Sequence, residues 1–145
     1  MREPIYTTAL LRLAAEIPHD GRLASPDASA ERRSVVCGSR VTVDVVLGAA
    51  GRVTNLGLEL RACALGQASA SLMAAHAVGR SAAELVSARD DLAAWLAGRR
   101  DDAGAWPGLD ALAPARRHSS RHASILLPFE AIAAAATLAA RKAAA

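Results

Sequence analysis

Residues 40–47 read RVTVDVVL and residues 53–62 read VTNLGLELRA, and both runs alternate apolar and polar side chains. Val41, Val43 and Val45 point one way, Thr42 and Asp44 the other. Leu56, Leu58 and Leu60 likewise share a face, with Asn55, Glu59 and Arg61 opposite. A period of two predicts strands, each with one buried face. The segment LGAAGR between them is a turn, so the pair is expected to form an antiparallel hairpin. For both apolar sets to share a face, paired residue numbers must add to an odd value, expected near 99, with Leu47 facing Arg52.

That register brings the only two cysteines, Cys37 and Cys63, to one open end of the hairpin, although 26 positions separate them. Cys37 is set opposite Ala62, and Cys63 opposite Val36. Strict pleating aims the two thiols at opposite faces, so a bulge or strand exit at Gly38 or Ala62 is needed to turn one toward the other. Beyond Cys63, the run LGQASASLMAAHAVG is helical and ends near Gly79. Cys63 therefore precedes a helix N-terminus, where the dipole and free amides favour a thiolate.

The remaining chain is mostly helix and loop. Residues 4–16 predict a short helix stopped by Pro18, and residues 17–34 a loop rich in proline, glycine and small polar residues. Ser81 with Glu84 forms a capping box for a helix running to about Ala97. GRRDDAGAWPG is a loop, followed by a short turn, LDALAP. A last helix runs from about Arg121 to Lys142, capped by Ser119 or Ser120, with Pro128 expected to kink or interrupt it.

At 145 residues the chain is expected to form one domain, residues 1–145, large enough for a true core. It is 52% hydrophobic but 3% aromatic, so alanine, leucine and valine do the packing. Net charge is +3, from 17 basic and 14 acidic residues. The arginines are dispersed and not interleaved with aromatics, which argues against nucleic-acid binding. The N-terminal run MREPIYTTALLRLAAEIP lacks the long apolar stretch of a signal peptide, and the tail AIAAAATLAARKAAA reads as too short and too weakly apolar to span a bilayer. No membrane association and a cytoplasmic location are expected. In a reducing compartment the two cysteines are expected as free thiols or metal ligands.

Two thiols at one end of a hairpin suit a metal but do not complete a site, since zinc takes four ligands, or three with an open position. The histidines are His19, His76, His118 and His122. His76 lies within an alanine-rich helix, His19 in a loop, and His118 and His122 four residues apart near the last helix. Buried cysteines that merely fill space are the plainer alternative. No G-x-S-x-G elbow, phosphate loop or G-x-G-x-x-G is present.

The stretch VCGSRVTVDVVL, followed by GRVTNLGLELRACALGQASASLM, resembles the iron–sulfur cluster assembly scaffold family, comprising IscU, SufU and the N-terminal domain of NifU. The resemblance covers about Tyr6 to Ile132. It implies an α+β fold, a small antiparallel sheet packed against several helices, with both cysteines holding a metal or nascent cluster at one sheet end. The family pattern C-G-D reads Cys37-Gly38-Ser39 here, so Ser39 replaces the aspartate. The third family cysteine falls in RHASILLPF, where an ungapped match sets Ser124 in its place. The segment WPGLDALAPARRHSSRH looks like the insertion of the SufU branch.

Imidazole is a better metal ligand than a hydroxyl. The expected ligand set is therefore Cys37, Cys63 and His122, with His118 and Ser39 in reserve. The resemblance implies a scaffold that binds iron, a [2Fe–2S] cluster or zinc and passes on cluster or sulfur. Its implied partners are a cysteine desulfurase and recipient apo-proteins. Two alternatives stand beside it. One is a zinc-dependent, SufU-like sulfurtransferase or desulfurase activator with Cys63 as sulfur acceptor. The other is a metal-free pseudo-scaffold acting through protein contacts.

Overall fold

The two alternating runs become the centre and one edge of a three-stranded sheet in the computed structural model, which describes residues 4–145. In chain order the elements are α1 (Thr8–Ala15), β1 (Ala28–Arg33), β2 (Arg40–Leu47), β3 (Val53–Arg61), α2 (Ala64–His76) and α3 (Ala82–Leu96). Two 3-10 segments follow, Leu109–Arg117 and Ser119–Arg121, and then α4 (His122–Ala144). The sheet is antiparallel throughout in the order β1-β2-β3, so the fold class is α+β, as expected. The first three residues of the N-terminal run lie outside the described residues.

The parity of the register is as expected, but its value is not. Val41 faces Leu60, Val43 faces Leu58 and Val45 faces Leu56, pairs whose numbers add to 101 instead of 99. An irregularity between Val46 and Leu47 then sets Leu47 opposite Val53, not Arg52. The odd sum keeps both apolar sets on one face, and Val41, Val43, Val45 and Leu58 are fully buried. Helix α4 packs across β1 and β2.

The expected loop over residues 17–34 contains β1. Ala28–Arg33 reads ASAERR, with no apolar alternation, and its pairing with β2 is what makes it a strand. Residues 19–21 close the opposite edge: Leu58 N–H donates to His19 O and Gly21 N–H to Leu58 O. An edge strand left bare is an aggregation hazard, and this short bridge caps it. The loop comes close because Gly57 has no side chain, and a Cβ there would lie 2.6 Å from Gly21 O.

The same loop anchors on a buried carboxylate. Asp44 is 0% exposed. It accepts from Arg22 Nε at 2.7 Å and Nη2 at 3.0 Å, from the Leu23 amide at 2.9 Å, and from Ser29 Oγ. Burial pushes its carboxyl pKa up. The Arg22, Ser29 and Leu23 hydrogen bonds outweigh that and hold it below the usual range.

The helices follow their local signals in part. Thr7 caps α1 by accepting the Leu10 amide at 3.1 Å, so the helix begins later than expected. The Ser81–Glu84 capping box opens α3. Ser119 and Ser120 do not cap α4: they lie in a 3-10 segment, and Arg121 takes the N-cap position with no side-chain bond. Pro128 is buried within α4 and does not interrupt it. Packing against the sheet, α2 and α3 supports the helix through that position. Ser119–Ala144 is long and apolar enough to cross a membrane by length and composition, unlike the tail read alone, but 61% of its most apolar window is buried within the protein.

Asp44→Ala removes a buried acceptor from four donor groups on three residues, although Arg22 is half exposed. The variant is expected to lose about 3 kcal/mol in urea denaturation. A depressed carboxyl contributes stability above its unfolded pKa of about 3.9, and that contribution is lost as pH falls through the folded value. Wild type should therefore lose stability in that acid range, and Asp44→Asn should show a shallower loss.

Candidate functional site

Neither cysteine belongs to the strand ladder, so pleating does not govern where the thiols point. β2 starts at Arg40 and β3 ends at Arg61. Cys37 sits in the turn between β1 and β2, which Ser34 and Ser39 close: Ser34 N–H donates to Ser39 O and Gly38 N–H to Ser34 O, both at 2.9 Å. Gly38 has φ of 71°, a left-handed conformation that glycine adopts without strain. Cys63 is the N-cap residue of α2, as expected from its place before the helical run. The β1–β2 turn and the β3–α2 junction meet at one end of the sheet, and the first turn of α4 closes over them.

Four side chains converge there. Cys37 Sγ lies 3.1 Å from Ser39 Oγ, Ser39 Oγ lies 3.4 Å from Ser124 Oγ, and Ser124 Oγ lies 3.2 Å from Cys63 Sγ. Both hydroxyls are buried, Ser39 at 4% and Ser124 at 2% exposure, whereas Cys37 is exposed and Cys63 half-buried. Ser124, the residue matched to the missing third thiol, is thus the hub of the cluster.

Gly66 makes this convergence possible. A Cβ at Gly66 would lie 2.8 Å from Ser124 Oγ and 2.8 Å from Ala62 Cβ. The first turns of α2 and α4 therefore touch backbone to side chain. Ser69, one turn on, donates to Ile125 O at 2.5 Å and fixes the same contact.

The surroundings favour thiolates. Hydrogen bonds from the Ser34 and Ser39 hydroxyls lower the Cys37 thiol to about 7, against a smaller upward effect of burial. Burial pushes Cys63 up, but the Ser124 hydroxyl, the Gly66 and Leu65 amides and the Arg121 charge bring it below its ordinary value. The helix N-terminus thus acts on Cys63 as its position predicts. Ser34 is a contributor that the sequence reading missed, because nothing in SVVCGS marks which serine turns inward.

The histidines do not join the thiols. His122, expected as third ligand, has its Nε2 2.9 Å from Arg116 O and 3.2 Å from Ala115 O, turned toward the 3-10 segment. His118, held in reserve, lines a separate cavity of about 810 Å³ with Leu96, Pro114 and Arg117. His19 lies on the far edge of β3, and His76 stands edge-on to Trp106 at 6.4 Å. Among the described residues no group of three histidine, cysteine or acidic side chains is placed to hold a metal. The donors actually gathered are two thiols and two hydroxyls, Ser39 among them.

A domain with this sheet and these helices is the kind found in NifU-like proteins. The N-terminal part of a nitrogen-fixing NifU-like protein from Brucella abortus superposes with a TM-score of 0.88 at 39% identity, over 95% of this chain and 96% of that one. A candidate iron–sulfur cluster assembly scaffold protein for the SUF system from Fervidobacterium islandicum superposes at 0.81 with 19% identity, over 91% and 96% of the two chains. A hypothetical protein shares the fold at 0.72 with 18% identity, over 89% and 94%. No protein-family model and no curated protein matches the chain. The chain belongs to the iron–sulfur cluster assembly scaffold family of IscU, SufU and the NifU N-terminal domain.

Glycine to alanine inside a helix ordinarily stabilises by up to about 1 kcal/mol. Gly66→Ala is expected instead to destabilise by about 1–3 kcal/mol, because the methyl wedges α2 from α4. Thermal unfolding decides between the two signs. Iodoacetamide alkylation of Cys37 should reach half its plateau rate near pH 7. Ser39→Ala should move that midpoint upward, since the lost hydroxyl bond favours the thiolate.

Proposed function

We propose that the protein is a scaffold of iron–sulfur cluster assembly that carries iron or a nascent [2Fe–2S] cluster as cargo between Cys37 and Cys63. The observation that carries this reading is the meeting of both thiols, from distant parts of the chain, on one buried hydroxyl pair. Thiolates are the ligands that iron–sulfur clusters require. A solved relative described as a cluster assembly scaffold for the SUF system has the same fold. A cysteine desulfurase as sulfur source and apo-proteins as recipients are the partners this role needs.

Two thiolates hold a cluster on one side only. The remaining iron positions stay open to solvent, small ligands or a recipient protein, which suits cargo that must leave. His122 completes a Cys, Cys, His set only by giving up both carbonyl contacts. Serine at positions 39 and 124 supplies hydroxyls that are weak ligands for soft metals but good hydrogen-bond donors to thiolate or sulfide.

The exposed Cys37, with its thiol lowered to about 7, favours a second reading, a zinc-dependent, SufU-like sulfur acceptor. In that reading Cys37 attacks the terminal sulfur of a desulfurase persulfide and the desulfurase thiolate leaves. Cys37 is more accessible for this step than Cys63, the acceptor the sequence suggests.

Metal and acid-labile sulfide on anaerobically purified and reconstituted protein test these readings. About two irons and two sulfides per chain are expected, lost in Cys37→Ala and in Cys63→Ala and retained in His122→Ala. Loss with His122→Ala restores the three-ligand set. Zinc without sulfide, with persulfide on Cys37 after incubation with a desulfurase and cysteine, selects the sulfur-acceptor reading. No metal under any condition selects the metal-free pseudo-scaffold.

A further inference from the structure

Beside the thiol cluster the three strands carry a row of like charge. Arg33 on β1 pairs with Arg40 on β2, and Arg40 pairs with Arg61 on β3. Directly opposed residues of an antiparallel sheet project from the same face, with Cβ atoms about 5 Å apart, and like charges so placed are destabilising. The next row on that face is Glu31, Thr42 and Glu59. Glu31 reaches two of the arginines, Arg33 at 3.4 Å and Arg40 at 3.5 Å. Arg61 has no carboxylate partner within 4.0 Å among the described residues. Two of the three guanidinium groups thus share one carboxylate, and the third has none so close.

The row opens onto a cavity. Arg33, Arg40 and Arg61 line a space of about 360 Å³ whose other walls include Ser34, Gly38 and Ser39. That volume is within the range of small-molecule sites. Ser34, Val35, Gly38 and Ser39 belong to the turn that carries Cys37, and Ser39 Oγ lies 3.1 Å from Cys37 Sγ, so the cavity and the exposed thiol share that turn. Guanidinium groups recognise carboxylate and phosphate oxygens through paired N–H donors.

We infer that the Arg33–Arg40–Arg61 row and its cavity form a binding subsite for a small oxyanion-bearing molecule, held against the turn that carries Cys37. The anion supplies the charge that Glu31 leaves unmatched and offsets the repulsion across the strands. Carboxylate and phosphate satisfy the same fork of donors, and competition distinguishes them. The inference stands whether or not the thiols carry a cluster, because it concerns only the arginines and the accessibility of Cys37.

Iodoacetate and iodoacetamide are matched probes: the Cys37 thiolate displaces iodide from the methylene carbon of each and becomes a thioether, but only the first carries a carboxylate. The full chain, reduced and chelator-treated, is alkylated with each, and Cys37 is followed by peptide mapping. Iodoacetate should saturate, whereas iodoacetamide should stay linear in reagent. At constant ionic strength citrate or inorganic phosphate should slow iodoacetate only, and the stronger competitor identifies the preferred oxyanion. Arg61→Gln and Arg33→Gln should each lower the iodoacetate-to-iodoacetamide rate ratio roughly fivefold, as loss of one exposed charge contact predicts. Their unchanged iodoacetamide rates report an intact fold and thiol. A ratio unaltered in both variants, or chloride acting as well as citrate and phosphate, overturns the subsite.

Discussion

The close approach of α2 and α4 at Gly66 and Ser124 is the constraint on which the site depends. Cys63 is carried by the start of α2 and Ser124 by the first turn of α4, so the distance between these helix ends sets the distance between the two groups. Any side chain at position 66 would press against the Ser124 hydroxyl at 2.8 Å. The buried bond from Ser69 to Ile125 O holds the contact one turn further along. α4 also packs across β1 and β2, and the turn between those strands brings Ser39 and Cys37 to the same point. One helix crossing thus assembles groups from three parts of the chain.

The chemistry at that point follows from its hydroxyls. Ser39 and Ser124 stand where the family pattern has a carboxylate and a third thiol. Neither carries charge at neutral pH, so among the described residues the site gathers two ionisable thiols without a third acidic or imidazole partner. Each thiolate is stabilised by hydrogen bonds instead, from Ser34 and Ser39 at Cys37 and from Ser124 and the α2 amides at Cys63. Metal held in such a site has fewer strong protein bonds to break on leaving. The one arginine whose charge acts on a thiol there is Arg121, beside Cys63.

Opposite demands meet in the sheet. One face is apolar and pressed against α4; the other carries Asp44, a buried carboxylate in the middle of β2. The loop through Arg22 and Leu23 satisfies Asp44 and closes over Gly57, while its first residues cap the edge of β3. A segment with no regular structure of its own is thereby bound at its centre and its ends, which fixes the sheet from which the Cys37 turn projects.

Local patterns by themselves determined the β2–β3 hairpin, its buried face, the capping box of α3 and the place of Cys63 before a helix. Each rests on neighbours in the chain: alternation for strands, Ser81 with Glu84 for the cap, the change of period after Cys63. The thiol contexts also carried the family resemblance. Tertiary structure alone decided the rest. ASAERR becomes β1 only because β2 offers unpaired backbone groups, and α4 runs through Pro128 because surrounding packing compensates for one missing helical bond. The register differs by two because the turn absorbs an irregularity that hydrophobic parity cannot detect. The sequence offers His122 as a ligand because imidazole binds metals well. Its ring lies on the carbonyls of Ala115 and Arg116, since orientation at the helix start depends on the 3-10 segment before it. Composition and spacing name the donors a chain possesses; only the packing of distant elements decides which of them face one another.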